Sequence, residues 1–267
     1  MAYQLIEIER RDKGVTWIQI DNPPANAIGK ELMQELEEAV EELTHDSKTR
    51  VVVVASKNSK IFLAGADLKG MISGSSDLVE DSIADNFIEK ESARMQSCFQ
   101  KFQNMPKPVI AAINGYALGG GCELALACDF RLMGGGKIGL TEVSLGLIPG
   151  AGGTQRMTQI LGRAKAMEMI FLAKKIEAKE AEKIGLIHRA IDRDNFEEEV
   201  TSFSEKLAIG AVKAMGLAKK AINATDKSLS EGLKVEARAF AETFSSDEPS
   251  IGLAAFFLKQ KANFLEG

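Results

Sequence analysis

The chain has 267 residues, with 33 Lys and Arg against 38 Asp and Glu, a formal charge of -5 at pH 7. That length buries a core without a metal or disulfide, and no segment mixes basic with aromatic residues as a nucleic-acid surface does. No apolar run approaches the ~20 residues of a membrane span, and the opening MAYQLIEIERRDKG lacks the continuous apolar stretch of a signal peptide. A soluble, unprocessed, cytoplasmic protein without membrane or nucleic-acid partners is expected.

Tyr3 to Glu9 and Val15 to Ile20 alternate apolar with polar residues around Asp12-Lys13-Gly14, which predicts a β-hairpin. NPPANAIG at 22–29 follows as a loop. Between Lys30 and Asp46, Leu32, Met33, Leu36, Val40 and Leu43 recur at helical spacing against a Glu-rich face, the pattern of an amphipathic surface helix. Val51 to Ala55 and Pro108 to Ile113 are short apolar runs that fit strands buried on both faces. The stretch 72–104 is polar and acidic, contains SGSSD at 73–77 and shows no clear apolar stripe before Phe99. It is read as a mobile excursion bordering a site.

Strand, Gly-rich turn and helix alternate through about residue 190, whereas Phe196 to Gly267 shows helical periodicity alone. The expected fold class is therefore α/β: a core over 1–195 that carries the site, then a helical region over 196–267, with the boundary near 195. Apolar Leu207, Val212, Met215, Leu217, Ile222 and Leu229 suit that region to subunit contact.

Several chemistries are excluded by inspection. His45 and His188 are the only histidines and have no neighbours at zinc-ligand spacing, so no metal site is expected. Cys98, Cys122 and Cys128 lack CxxC spacing and read as reduced core packing. No GxSxG elbow occurs, GGGKIG at 134–139 lacks the hydroxyl residue of a P-loop, and GAGGTQ at 150–155 fails the dinucleotide pattern at its last position.

The positive signal is a pair of acids. Glu123 lies in NGYALGGGCELALACD at 114–129 and Glu142 in GLTEVSLGLIPGAGGTQR at 139–156, both Gly-rich and apolar. A carboxylate buried there costs several kcal/mol unless it is paired, hydrogen-bonded or neutralised, so the two suggest acid and base work. Structural alternatives are a dipole-stabilised charge at a helix start for Glu123 and a salt-bridge partner for Glu142. Gly119-Gly120-Gly121 precedes an apolar helical run, where free amides can hold an oxyanion, and Ala66 in IFLAGADLKG offers a second amide able to converge on the same point.

LAGADLK, NGYALGGGCELALACD, TEVSLGLIPGAGGTQR and the tail FFLKQKANF together resemble the enoyl-CoA hydratase branch of the crotonase superfamily, from NPPANAI to the carboxyl end. The resemblance implies a spiral of ββα units followed by a helical segment that builds homotrimers, commonly paired into homohexamers. It implies an acyl-CoA thioester substrate whose carbonyl oxygen is held by the amides of Ala66 and Gly120, with no separate cofactor, coenzyme A being part of the substrate. Glu123 and Glu142 would flank one water, Glu123 leaning towards base and Glu142 towards proton donor, without a firm individual assignment. Coenzyme A contacts are implied for Ala25, Leu63, Ala64, Ala66, Asp67, Leu68, Lys69 and Gly120, and for Phe256 and Lys259 from a neighbouring subunit. Lys259 fits equally the solvated edge of a terminal helix. Thr141 stands where many hydratases carry Pro, which bears on how rigidly Glu142 is held. Open alternatives are a crotonase-fold isomerase or other acyl-CoA lyase, and a noncatalytic RNA-binding module.

Overall fold

The computed structural model describes residues 3–66 and 81–265. The strands are β1 (Ile6–Arg10), β2 (Val15–Ile20), β3 (Ala27–Ile28), β4 (Val51–Ser56), β5 (Ile61–Leu63), β6 (Gly65–Ala66), β7 (Val109–Ile113), β8 (Tyr116–Leu118), β9 (Phe130–Met133), β10 (Ile138–Gly139) and β11 (Arg189–Ala190). The helices are α1 (Lys30–His45), α2 (Asp81–Asn104), α3 (Gly120–Ala127), α4 (Gly153–Leu161), α5 (Arg163–Phe171), α6 (Ala178–Lys183), α7 (Phe196–Ala208), α8 (Val212–Ile222), α9 (Leu229–Thr243) and α10 (Glu248–Phe257).

The expected hairpin is the edge of a sheet with order β1-β2-β4-β7-β9-β11, antiparallel between β1 and β2 and parallel beyond. β4 shows why its sequence is apolar from Val51 to Ala55. Val52 and Val54 join a core with Leu36, Val40 and Leu43 of α1 and Phe99 and Phe102 of α2. Val51, Val53 and Ala55 face the opposite way, onto Phe196, Val200 and Ala208 of α7. Both faces of a parallel sheet are thus covered by helices, as unpaired apolar faces require. The chain beyond residue 195 is helical as expected, and its first helix is built into the same core as the strands.

One segment departs from its sequence reading. Residues 81–104 of the supposed excursion form a single 24-residue helix, α2. Among the described side chains, those of its last turns reach the core through the fully buried Cys98, Phe99 and Phe102. Phe87, Ile88, Glu91 and Ser92 line a cleft, and a helix wall that borders open space carries no apolar stripe.

A smaller parallel sheet, β10-β8-β5, and the β3-β6 pair lie beside the main sheet and carry the Gly-rich turns. The loop before β3 is fastened by buried Asn26, whose Nδ2 donates to Ser56 Oγ at 2.7 Å and to the Phe62 carbonyl at 3.3 Å. At the far end, Lys219 of α8 donates to Asp129 Oδ2 at 2.8 Å, and Glu248 of α10 accepts the amides of Lys213 and Ala214. These polar contacts orient the terminal helices, which still expose Leu229, Leu233, Phe240, Phe244, Phe256 and Phe257.

The position of α3 depends on Gly121. A Cβ there would lie 2.2 Å from the Leu63 carbonyl oxygen of β5, inside any allowed contact. Gly121→Ala is expected to force helix and strand apart and to lower stability by about 1–3 kcal/mol; a thermal midpoint equal to wild type would contradict this packing.

Candidate active site

Gly119 turns the chain from β8 into α3 with φ 53°, a left-handed conformation that favours glycine. Gly120 is the first residue of α3, so its N–H has no partner within the helix. The β5–β6 turn comes against it. A Cβ on Gly65 would lie 3.4 Å from the Gly120 nitrogen, and one on Gly120 would lie 3.6 Å from the Ala66 nitrogen. The two peptide segments bearing the Ala66 and Gly120 amides are therefore in direct contact, side by side at a helix start with its positive dipole charge.

One turn into α3, Glu123 is 2 % exposed. Its Oε1 accepts two amides, from Ala151 at 2.7 Å in the Gly-rich turn and from Gly153 at 2.8 Å, the first residue of α4. Among the described residues no donor is directed at Oε2. Burial pushes the Glu123 carboxyl up to about 7; the charge of Glu142 adds to this, and the two amides and the Arg156 guanidinium oppose it.

Glu142 opens a short 3-10 turn, Glu142–Leu145. Its carboxyl rests on Gly119, where a Cβ would meet Oε1 at 3.0 Å. Its Oε2 is buried and has no hydrogen-bond partner among the described residues. Burial raises this carboxyl too, against the lowering effect of its own amide and that of Thr141. The expected salt-bridge alternative for Glu142 finds no partner among the described residues. Thr141 leaves the turn anchored, since its carbonyl accepts from Ser144 N at 3.1 Å and Ser144 Oγ at 2.7 Å.

Ala64, Ala66, Gly120, Glu123 and Glu142 line one cleft of about 1560 Å³, walled by Phe87, Ile88 and Met95 of α2 and by Leu145, Leu147 and Ile148. The other sequence-derived positions fall elsewhere. Leu63 is fully buried, and its carbonyl is packed on Gly121. Ala25 is half-buried in the loop before β3, and Phe256 and Lys259 lie on and just beyond α10, none of them lining this cleft. Asp67, Leu68 and Lys69 lie outside the described residues, as does the part of the 72–104 segment before residue 81.

Sequence reasoning missed the groups that hold Glu123. The amides of Ala151 and Gly153 are invisible to it, but Arg156, a charged residue in an apolar Gly-rich run, carries the same signal that singled out Glu123. His188 has a structural role, its Nδ1 accepting from Arg131 N at 3.2 Å and its ring against Phe130, with burial pushing its pKa down to about 4. The three cysteines are free and buried.

A family model described as enoyl-CoA hydratase/isomerase matches residues 10–267. The chain belongs to the enoyl-CoA hydratase/isomerase family. It is 38% identical over 99% of both chains to a probable enoyl-CoA hydratase of Rhizobium meliloti strain 1021. It is 34% identical, again over 99% of both, to a crotonyl-CoA hydratase of Syntrophomonas wolfei. The crystal structure of an enoyl-CoA hydratase from Bacillus anthracis superposes with a TM-score of 0.88 at 33% identity, covering 99% of this chain and 100% of that one. The crotonase fold expected of the sequence is thus the fold of this family member.

The raised Glu123 carboxyl has a stability consequence. A carboxyl that moves from 4.5 in the unfolded chain to about 7 when folded makes the native state lose stability as pH rises between those values. Glu123→Gln keeps an oxygen for the two amides and escapes that loss. At pH 8 it should exceed wild type by on the order of 2–3 kcal/mol, the difference closing below pH 4.5, as read by denaturant titration across pH. Equal stability at pH 8 would show that the carboxylate is not desolvated as described.

Proposed function

We propose that the chain is an enoyl-CoA hydratase that reversibly adds water to a 2-enoyl-CoA to give a 3-hydroxyacyl-CoA. The observation that carries this reading is the pairing of Glu123 and Glu142 in one cleft, each with an oxygen lacking a donor among the described residues, next to the adjoining Ala66 and Gly120 amides.

The thioester carbonyl oxygen sits between those two amides, which stabilise the negative charge it gains as the enolate forms; one such donor is typically worth ~3–4 kcal/mol. A water held by the two acids attacks Cβ. Glu123, with Oε1 tied to the Gly-rich turn, takes a proton from the water through Oε2. Glu142 delivers a proton to Cα. The cycle closes when the proton on Glu123 returns to Glu142, which requires that the pair carry one proton between them near neutrality. Two carboxyls raised by burial, Glu123 also by the charge of Glu142, meet that condition. Coenzyme A is the substrate's handle and no further cofactor takes part.

The apolar faces left on α9 and α10 support assembly into a homotrimer or a dimer of trimers. That assembly would bring Phe256 and Lys259 of one subunit over the coenzyme A bound by another, consistent with their absence from the cleft of their own chain. Replacing Phe240 by Ser should shift sedimentation towards the monomer, and an unaltered assembly would exclude this face as the contact.

The catalytic assignment is tested with crotonyl-CoA, following loss of the conjugated enoyl absorbance. Glu123→Gln and Glu142→Gln should each lower kcat by about 10²–10⁴-fold, with coenzyme A binding retained in calorimetry. Turnover at the wild-type rate in either variant would refute the chemistry.

A further inference from the structure

Arg156 is 7 % exposed and, among the described residues, forms no ion pair. Its guanidinium is held by three neutral acceptors: Nη1 donates to the Ala151 carbonyl at 2.9 Å, Nε to Gln103 Oε1 at 2.8 Å and Nη2 to Gln100 Oε1 at 3.1 Å. Burying an unpaired cation costs several kcal/mol. A role confined to tying loop to helix does not need that charge.

Ala151 links the two charged groups through its backbone. Its N–H, in the Gly150–Ala151 peptide unit, donates to Glu123 Oε1, and its carbonyl, in the Ala151–Gly152 unit, accepts from Arg156, so two successive peptide units tie the guanidinium to the turn that holds the carboxylate. The preceding carbonyl, of Gly150, accepts from Ser92 Oγ at 2.7 Å and Gln96 Nε2 at 2.8 Å, both on α2. The turn at 150–153 is therefore clamped by α2 on one side and by Arg156 on the other. We infer that Arg156 is a positioning residue that holds the 150–153 turn against Glu123 and supplies the positive field that keeps its carboxylate available as a base. This inference rests on the proposed hydratase function.

Among the described residues, the cation that opposes the burial of Glu123 is Arg156. Glu142 adds negative charge from its 3-10 turn. Cys122, adjacent on α3, is a thiol pushed well up by burial and therefore neutral. Ser92, Gln96, Gln100 and Gln103 on α2 carry no charge. Lys30, Glu31, Glu91 and Asp226 also line the cleft, and Arg94 there is paired with Glu37 at 3.2 Å. The Arg156 guanidinium lowers the Glu123 carboxyl through its charge.

The test follows the Glu123 carboxyl directly by ¹³C NMR of labelled glutamate, assigned by its loss in Glu123→Gln, alongside pH–rate profiles with crotonyl-CoA. Removing the cation in Arg156→Gln should raise the Glu123 midpoint by about one pH unit or more. The acid limb of kcat/KM should move up with it, and kcat at pH 7 should fall while KM stays near wild type. Arg156→Lys, which keeps the charge without the planar fork, should return the midpoint and acid limb towards wild type while kcat stays reduced. Should Arg156→Gln not fold, Gln103→Glu gives the guanidinium a carboxylate partner, and the Glu123 midpoint should again move up. An unmoved midpoint in Arg156→Gln or Gln103→Glu, or equal displacement in the Gln and Lys variants, would overturn the inference. Because NMR titration needs no turnover, a wild-type protein without hydratase activity would sink the proposed function alone, whereas an active wild type with an unresponsive Glu123 would sink this inference alone.

Discussion

A carboxylate enclosed by protein must be solvated by peptide groups, and the two amide bonds to Glu123 Oε1 are the interaction on which the rest of the site depends. They consume one oxygen and leave the other facing the cleft. They also fix where the Gly-rich turn must lie, because a Cβ on Gly153 would approach the Glu123 side chain to 2.9 Å. The glycines that look interchangeable in the sequence are therefore separate requirements: Gly119 bends the chain into α3, Gly121 lets α3 reach β5, and Gly153 lets the turn reach the acid.

Two acids in one pocket can hold different protonation states only if their surroundings differ. Glu123 is tied by two amides and sits within the field of Arg156, while Glu142 leans on Gly119 with an oxygen lacking a partner among the described residues. Each is raised by burial, and the charge of one works against ionisation of the other. The amides and the guanidinium favour charge on Glu123 while its burial and the charge of Glu142 oppose it, so the two carboxyls titrate as a coupled pair.

The sequence was most legible where burial dictates composition. The apolar run Val51–Ala55 of β4 reads as a strand covered on both faces, and α1 showed its buried side at regular spacing. Glu123 and Glu142 stood out because charge in an apolar run is costly. It was least legible where function relaxes that rule: α2 turns half its length towards a cleft, so its helical pattern dissolves before Phe99 and the segment reads as irregular. Backbone donors leave no trace in side-chain identity, which hid the roles of Ala151 and Gly153. Arg156 follows the glycines of a failed nucleotide motif, and its burial depends on Gln100, Gln103 and the Ala151 carbonyl, acceptors that its own local sequence does not mark.

The most direct measurement of the central claim is mass spectrometry of the product formed from crotonyl-CoA in water enriched in ¹⁸O and deuterium. Water addition by the paired acids predicts one ¹⁸O at C3 and one deuterium at C2 of a 3-hydroxybutyryl-CoA. Deuterium incorporation or double-bond movement without ¹⁸O would mean that the oxyanion site supports proton transfer alone, and that the two glutamates do not hold a nucleophilic water.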